Sequence, residues 1–252
     1  GDIDMTRQVG TIEVPRQYCG PPNSGNGGYV SGLLASFLDG PVRVRLIAPT
    51  PLDTSIEIVT EGDGIAAYVG KTKIGIAAPA EVDIDPPPPP TAADVRQARA
   101  AYGDDARTHP LPHCFVCGPA RDPADALCLY TGPVPNSPVN ADAWVPGPQF
   151  AGADGLIRPE LLWAALDCPT AFALRHGDSK LCLLGSLTAE IHRRPAPHEH
   201  LTVMAWKRGI DGRKNYGDGA IVDADGHIIA AANAVWVELT DPKLIEAVKA
   251  GA

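Results

Sequence analysis

The chain has 252 residues, of which 44% are hydrophobic, so it can bury a core in one large or two closely packed domains. Its 30 acidic side chains outnumber 21 basic ones, and this charge argues against nucleic acid and anionic membranes as partners. No apolar run is long enough to span a membrane, and residues 1–7 lack a basic stretch followed by an apolar one, so we expect a cytoplasmic protein.

The first third of the chain carries strand and helix signals and ends in a run of prolines. Residues 9–14 predict a short strand, and residues 27–38 predict a helix that opens on a glycine pair. Three or four strands are predicted between residues 42 and 82. The five prolines at 86–90 cannot join a sheet, so we expect an extended linker rather than a ligand for proline-recognising modules.

The remainder of the chain repeats this plan. The elements predicted after the linker are a helix at 92–101, strands at 127–130 and 139–145, a helix at 159–175, strands at 183–193, 201–207, 219–223 and 227–239, and a helix at 242–249. We therefore divide the chain into a first unit (1–84), a linker with an outer helix (85–108) and a second unit (109–252).

The strands of the two units match in sequence pattern, which indicates an internal duplication. A shift of 145 positions lays Val42, Val44, Leu46, Ile56 and Ile58 on Leu187, Ala189, Ile191, Leu201 and Val203. A shift of 154 lays Ile74, Ile76, Ala78, Ala80 and Val82 on Ile228, Ala230, Ala232, Ala234 and Trp236. One such match would mean little, but two in the same order, each preceded by a predicted helix, favour a duplication.

Two motifs resemble thioesterases of the hotdog superfamily. The run Asn26-Gly27-Gly28-Tyr29 is similar to the helix-opening His-Gly-Gly of acyl-CoA thioesterases, with Asn in place of His. Residues 162–173 resemble the acid-bearing helix of phenylacetyl-CoA-type thioesterases, with one extra residue after Asp167. Residues 113–119 and 163–169 also resemble a set of actinobacterial thioesterase-like proteins. The resemblance implies an α+β tandem (double) hotdog, in which two long antiparallel sheets each wrap a central helix and join each other.

Asp167 is the first candidate for catalysis. It lies in the middle of an apolar predicted helix, where a buried carboxylate must be stabilised or used. In a thioesterase it would activate water against the thioester carbonyl or attack that carbonyl itself. The alternative is that Asp167 caps a break in the helix before Pro169 or pairs with a basic group.

Gly28 and Asn26 are the candidates from the first unit. Backbone N–H groups at a helix start can bind a developing oxyanion, and Asn26 would orient substrate or water. The first unit has Ala35 seven residues beyond Gly28, where the second unit has its acid. The second unit keeps the acid but lacks the glycine pair, and this complementary loss predicts one composite site with Gly28 and Asp167 facing each other across a pseudo-twofold axis. The alternative is that the glycine pair only permits close packing.

Neighbouring residues in the matched motifs are candidates for substrate binding. Gly27 and Tyr29 flank Gly28, and Trp163 lies in the run that contains Asp167. Glu160 and Asp154 flank the start of the second unit's helix, where an ordinary first-turn acid would complement the helix dipole.

Four cations surround a predicted hairpin in this acidic chain: Lys207, Arg208, Arg213 and Lys214. Coenzyme A carries phosphates, so the hairpin is a candidate anion site. A solvated turn is the alternative interpretation.

The cysteines raise the question of a metal. His113, Cys114, Cys117 and Cys128 invite a zinc interpretation, but one Cys-x-x-Cys pair supplies two ligands where structural zinc takes four. Adjacent His113 and Cys114 would also have to bend onto one ion. No thioredoxin-like pattern surrounds the pair. We therefore expect reduced, packed thiols, no metal and no cofactor.

Hydrolysis of an acyl-CoA or related acyl thioester is the leading functional hypothesis. A hotdog hydratase or dehydratase needs a paired His and acid for proton transfer, which neither predicted helix carries. A non-catalytic protein that binds acyl chains or CoA esters is the alternative, because Asn26 replaces the usual His and the first unit lacks the acid. Sheet edges require cover, so we expect a homodimer.

Overall fold

In the computed structural model, which describes residues 6–103, 109–174 and 180–251, the strands of the described residues form one antiparallel sheet. These strands are β1 (Gln8–Ile12), β2 (Val42–Leu46), β3 (Ile56–Glu61), β4 (Gly64–Val69), β5 (Thr72–Pro79), β6 (Gly132–Pro133), β7 (Val139–Trp144), β8 (Cys182–Ile191), β9 (Leu201–Asp211), β10 (Lys214–Val222) and β11 (Ile228–Glu238). The helices are α1 (Gly27–Ala35), α2 (Ala92–Ala101), α3 (Pro159–Ala165), α4 (Cys168–Phe172) and α5 (Pro242–Ala250). None of the described helices is long and apolar enough to cross a membrane.

The strand order supports the duplication. It runs β1-β3-β4-β5-β2 in one half and β8-β11-β10-β9-β7-β6 in the other, so the halves mirror each other about the β2–β8 pair. In that pair Arg43 lies opposite Thr188, and a shift of 145 positions relates these same two residues. A pseudo-twofold axis therefore passes between Arg43 and Thr188. The two expected sheets join at the β2–β8 pair and form one continuous sheet.

The shift of 154 predicted for the last strand of each half is wrong by one residue. Relative to β2, Gly75 and Ala77 of β5 hold the same positions that Ala230 and Ala232 of β11 hold relative to β8. These equivalent positions are related by a shift of 155. A shift by one residue exchanges the two faces of a strand. The error was hidden because β11 is apolar on both faces, so its alternation is weak.

The helix predicted at 159–175 is broken into two. α3 ends at Ala165 and α4 begins at Cys168, with Asp167 at the break. Pro169 causes the break, because it offers no N–H to the Ala165 carbonyl and its ring would clash with that group. The predicted end at residue 175 lies outside the described residues. The first helix is also shorter than predicted, ending at Ala35 instead of residue 38.

Two strand predictions are also wrong. Residues 127–130 form no strand, because the Leu127 and Leu129 N–H groups bond to the carbonyls of Phe115 and Val116, and Cys128 has a left-handed φ of 51°. β10 begins at Lys214 rather than residue 219. Its polar first half concealed this extension.

The segment between β5 and α2 has no regular secondary structure. Residues 80–91 form neither helix nor strand, and α2 then packs on β6 and β7. Val95 and Ala98 of α2 meet Met204 and Trp206 of β9 in a small core of their own. The opposite face of the sheet holds the main core, which includes α1 and α3.

Candidate functional site

The start of α1 is fixed by Asn26. Its side-chain Oδ1 accepts a hydrogen bond from the Tyr29 N–H at 2.9 Å, which is the usual role of a helix N-cap. The amide nitrogen Nδ2 then points away from the helix, toward Asp167. Asn26 is 2% exposed, so both ends of its amide are held inside the protein.

Asp167 joins the two halves of the chain. Its Oδ2 accepts hydrogen bonds from Asn26 Nδ2 at 2.8 Å and from the Gly28 N–H at 2.9 Å. Its Oδ1 is buried and has no hydrogen-bond partner among the described residues. The structure therefore brings Asn26, Gly28 and Asp167 together across the interface, and it leaves one carboxyl oxygen available.

Burial is the largest effect on the pKa of Asp167 and raises it to about 7. The nearby Cys114 also raises this pKa, whereas the hydrogen bonds from Gly28 and Asn26 lower it. A carboxyl group with this pKa exchanges a proton near neutral pH. This is what an acid or base in hydrolysis requires. Its chemistry differs from that of an ordinary surface aspartate.

The sequence predicts that Gly28 and Asp167 face each other across a gap. The structure leaves no gap between them. The Gly28 N–H is already bonded to the carboxylate, so no thioester carbonyl fits between them. Close packing also explains the glycine, since a Cβ at Gly28 would lie 2.7 Å from the Trp163 carbonyl oxygen. The first N–H of α1 belongs to Gly27, which lines the cavity beside Asp167 and has no acceptor among the described residues.

A cavity of about 540 Å³ opens beside Asp167. Its walls come from the β2 end, β8, β11 and α4, and most of its surface is apolar. Residues that form these walls include Leu46, Ile47, Ala171, Phe172, Leu181, Leu183, Leu184, Trp236, Val237 and Leu239. Asn26, Gly27 and Asp167 lie in the same lining, so polar groups border a mostly apolar space. A pocket of this size and character is typical of a small-molecule binding site.

Cysteines line the same cavity. Cys114 and Cys117 come from the loop after the linker, and Cys168 directly follows Asp167. The Cys114 and Cys168 sulfurs are 3.7 Å apart, and hydrogen bonds from the Cys117 and Cys168 thiols lower the pKa of Cys114 well below its ordinary value. The sequence interpretation named Cys128 and His113 in place of Cys168. Cys128 instead donates to the Arg121 carbonyl.

Three predicted binding residues lie outside this cavity. The Tyr29 ring stacks on Tyr18 at 3.9 Å between ring centroids. Glu160 packs at the Gly32 backbone and pairs with Arg158 at 3.1 Å. Trp163 lines a separate, smaller cavity. Proximity in sequence to Gly28 and Asp167 suggested these residues, but a helix presents successive side chains to different sides.

The predicted hairpin site also lies outside the cavity. Lys207, Arg208, Arg213 and Lys214 are exposed around the β9–β10 turn. Arg208 pairs with Asp218 at 3.0 Å and lies over the Tyr216 ring, so one of the four charges has an acidic partner. Asp154 is exposed and pairs with Arg194 at 2.6 Å, which is a structural role.

The sequence matches no protein-family model and no curated protein, so the comparisons rest on solved structures. An acyl-CoA thioesterase II from Mycobacterium marinum aligns with a TM-score of 0.61 at 10% identity, over 94% of this chain and 97% of that one. The tesB protein of Mycobacterium avium subspecies paratuberculosis aligns at 0.58 and 12% identity, over 94% and 96%. A putative thioesterase II from Thermobifida fusca aligns at 0.56 and 15% identity, over 93% and 95%. The chain therefore has the double hotdog fold of thioesterase II-like proteins.

Proposed function

We propose that the protein hydrolyses an acyl-CoA or related acyl thioester at one composite site between α1 and the α3–α4 break. The observation that carries the proposal is a buried carboxyl group, held by donors from the other half of the chain, in the lining of an apolar cavity. Solved structures named as an acyl-CoA thioesterase II and a putative thioesterase II share the fold, which agrees with this reaction class.

The residues are assigned to the steps of hydrolysis as follows. Asp167 accepts a proton from water as the water oxygen bonds to the thioester carbonyl carbon. The Gly27 N–H, free of other acceptors among the described residues, donates to the developing oxyanion. Collapse of the tetrahedral intermediate breaks the carbon–sulfur bond and releases the carboxylic acid and a thiol, which takes up the proton. Asn26 and Gly28 hold Asp167 in place.

A non-catalytic acyl-CoA or acyl-chain binding protein is the second candidate. The Gly28 N–H, which the sequence offers as the oxyanion donor, is occupied by Asp167. An apolar cavity with a fixed polar end is also what a carrier of acyl groups requires.

The experiment that separates the two candidates is hydrolysis of a thioester panel, monitored by release of free thiol. We expect turnover by the native protein and a rate lower by about 10²- to 10⁴-fold for Asp167→Asn, which keeps the shape but removes the carboxylate. Asp154→Asn is the matched control, because this aspartate is exposed and lies outside the cavity. Saturable binding of acyl-CoA with no turnover would favour the binding protein, and full activity of Asp167→Asn would remove Asp167 from the mechanism.

Three further assignments accompany this proposal. We propose that the units extend over residues 1–84 and 109–252, with the linker and outer helix at 85–108 between them. We also propose a cytoplasmic homodimer that covers the sheet edges at β1 and β6. Light scattering should give a mass near twice 26.4 kDa, and a single-chain mass across the micromolar range would contradict the dimer.

A further inference from the structure

Three cysteine sulfurs meet beside the proposed site. Cys114, Cys117 and Cys168 place their sulfur atoms within 4.8 Å of one another. All three residues are buried, with exposures of 2%, 4% and 7%. Two come from a tight loop and the third from the first residue of α4, so distant parts of the chain converge on one point. None of Cys114, Cys117 and Cys168 forms a disulfide.

The spacing of two of these sulfurs suits a tetrahedral zinc ion, and the third sulfur lies within 4.8 Å of both. Zinc–sulfur bonds of about 2.3 Å at tetrahedral angles place two sulfurs about 3.8 Å apart. The Cys114 and Cys168 sulfurs are 3.7 Å apart. Packing of apolar thiols would not require a third sulfur at the same point.

Hydrogen-bond donors from two other residues lie close to the sulfurs. Asn26 Nδ2 lies 3.7 Å from the Cys114 sulfur and 3.9 Å from the Cys168 sulfur. His109 Nε2 lies 3.2 Å from the Cys117 sulfur. His109 Nδ1 accepts the Leu111 N–H at 3.0 Å, so the ring proton is on Nε2 and the histidine donates to sulfur. Donors of this kind orient and stabilise metal-bound thiolates.

The charges around the sulfurs are compatible with a bound cation. Asp167 Oδ2 lies 4.0 Å from the Cys168 sulfur, so a carboxyl group adjoins the three thiols. No lysine or arginine among the described residues lines this cavity. A divalent cation would compensate the negative charge of deprotonated cysteines in a place where no side chain does so.

We propose that Cys114, Cys117 and Cys168 bind one zinc ion, with the fourth coordination position open to the cavity. His109 and Asn26 donate hydrogen bonds to the sulfur ligands. The ion ties the loop after the linker to the start of α4, the residue next to Asp167. This reverses the expectation of packed thiols, because the third ligand needed for a site is Cys168, which lies 51 positions beyond Cys117 in the sequence.

The first test measures the metal directly. We expect about one zinc per chain in protein expressed with added zinc and purified without chelator or polyhistidine tag. Replacement by Co²⁺ should produce the visible bands of a tetrahedral ion, with a thiolate-to-cobalt charge-transfer band in the near ultraviolet. Substoichiometric zinc together with no cobalt bands in fully reduced native protein would overturn the proposal.

Cysteine variants then identify the ligands. Cys168→Ser and Cys117→Ser should lose most of the zinc, whereas Cys128→Ser should retain it. Cys128 is the matched control, because it is buried like the others but bonds to the Arg121 carbonyl instead. Zinc retained in Cys168→Ser or lost equally in Cys128→Ser would contradict this ligand set. Should the ligand variants fail to fold, the strength of the charge-transfer band in native protein decides, since it must correspond to three thiolates. Neither readout depends on thioester hydrolysis.

Discussion

The cavity at Asp167 has a counterpart on the other side of the α1–α3 contact, lined by Ala35, Ser36, Pro159 and Ile191. The two measure about 540 and 280 Å³. A shift of 132 positions relates the first residue of α1, Gly27, to that of α3, Pro159, and relates Ala35 to Asp167. The same fold element thus borders both cavities, and the difference lies in the side chains.

At each equivalent position the smaller cavity lacks a functional group that the larger cavity has. Ala35 has a methyl group where Asp167 has a carboxyl group, and Pro159 lacks the N–H that Gly27 offers. Ser36 stands where Cys168 contributes a sulfur. After a duplication, packing constrains both copies of the helix contact, while only one copy needs reactive groups. The comparison therefore favours a single site per chain.

The largest effect is expected from substitution of the two glycines at the helix contact. A Cβ at Gly28 would lie 2.7 Å from the Trp163 oxygen, and a Cβ at Gly32 would lie 2.5 Å from Glu160 Cα. Both Gly28→Ala and Gly32→Ala should lower the free energy of unfolding by about 3 kcal/mol, because backbone must move. Only Gly28→Ala should also displace Asp167 and lower the activity of the folded fraction.

Urea unfolding and initial rates, corrected for the folded fraction, measure the two effects separately. Gly32→Ala is the matched control, since it disturbs the same helix pair at the side of the smaller cavity. Equal loss of specific activity in both variants would mean that helix packing, and not the Asp167 contact, governs the rate.

Substitution of Asn26 should have a smaller effect on activity. Asn26→Ser keeps an oxygen that can cap α1 but removes the amide that donates to Asp167. Loss of a hydrogen bond to a charged group should lower kcat/KM by about 10- to 100-fold. The free energy of unfolding should also fall, by about 1–3 kcal/mol, because the buried Asp167 carboxyl loses one of its two donors. Unchanged kinetics would restrict Asn26 to its role as a helix cap.

The sequence did not predict the strand order, in which β2 lies between β5 and β8, but it predicted two similar units and a buried acid at Asp167. It did so because strand periodicity and the motifs around Gly28 and Asp167 are local signals. It could not predict that the Gly28 N–H bonds to Asp167, since this depends on how closely α1 and α3 approach. The role of Cys168 and the position of Tyr29 depend on the same packing, and residue spacing alone does not encode it.

The smallest effect is expected from restoring the missing acid in the smaller cavity. Ala35→Asp should not create a second site, because Pro159 cannot donate an N–H and the position equivalent to Gly28 under the same shift is occupied by Glu160. A buried carboxyl without donors should instead lower stability by about 1–3 kcal/mol. Its pKa should rise on folding, so the folded state holds the proton more tightly and the loss of stability should grow as pH rises from 5 to 8. Ala35→Asn, which is similar in size and uncharged, should show a loss that does not depend on pH. Denaturant unfolding at several pH values measures both, and the thiol-release rate should equal that of the native protein. A rate near twice the native one would show that the smaller cavity needs only the acid, and the argument for a single equipped site would then fail.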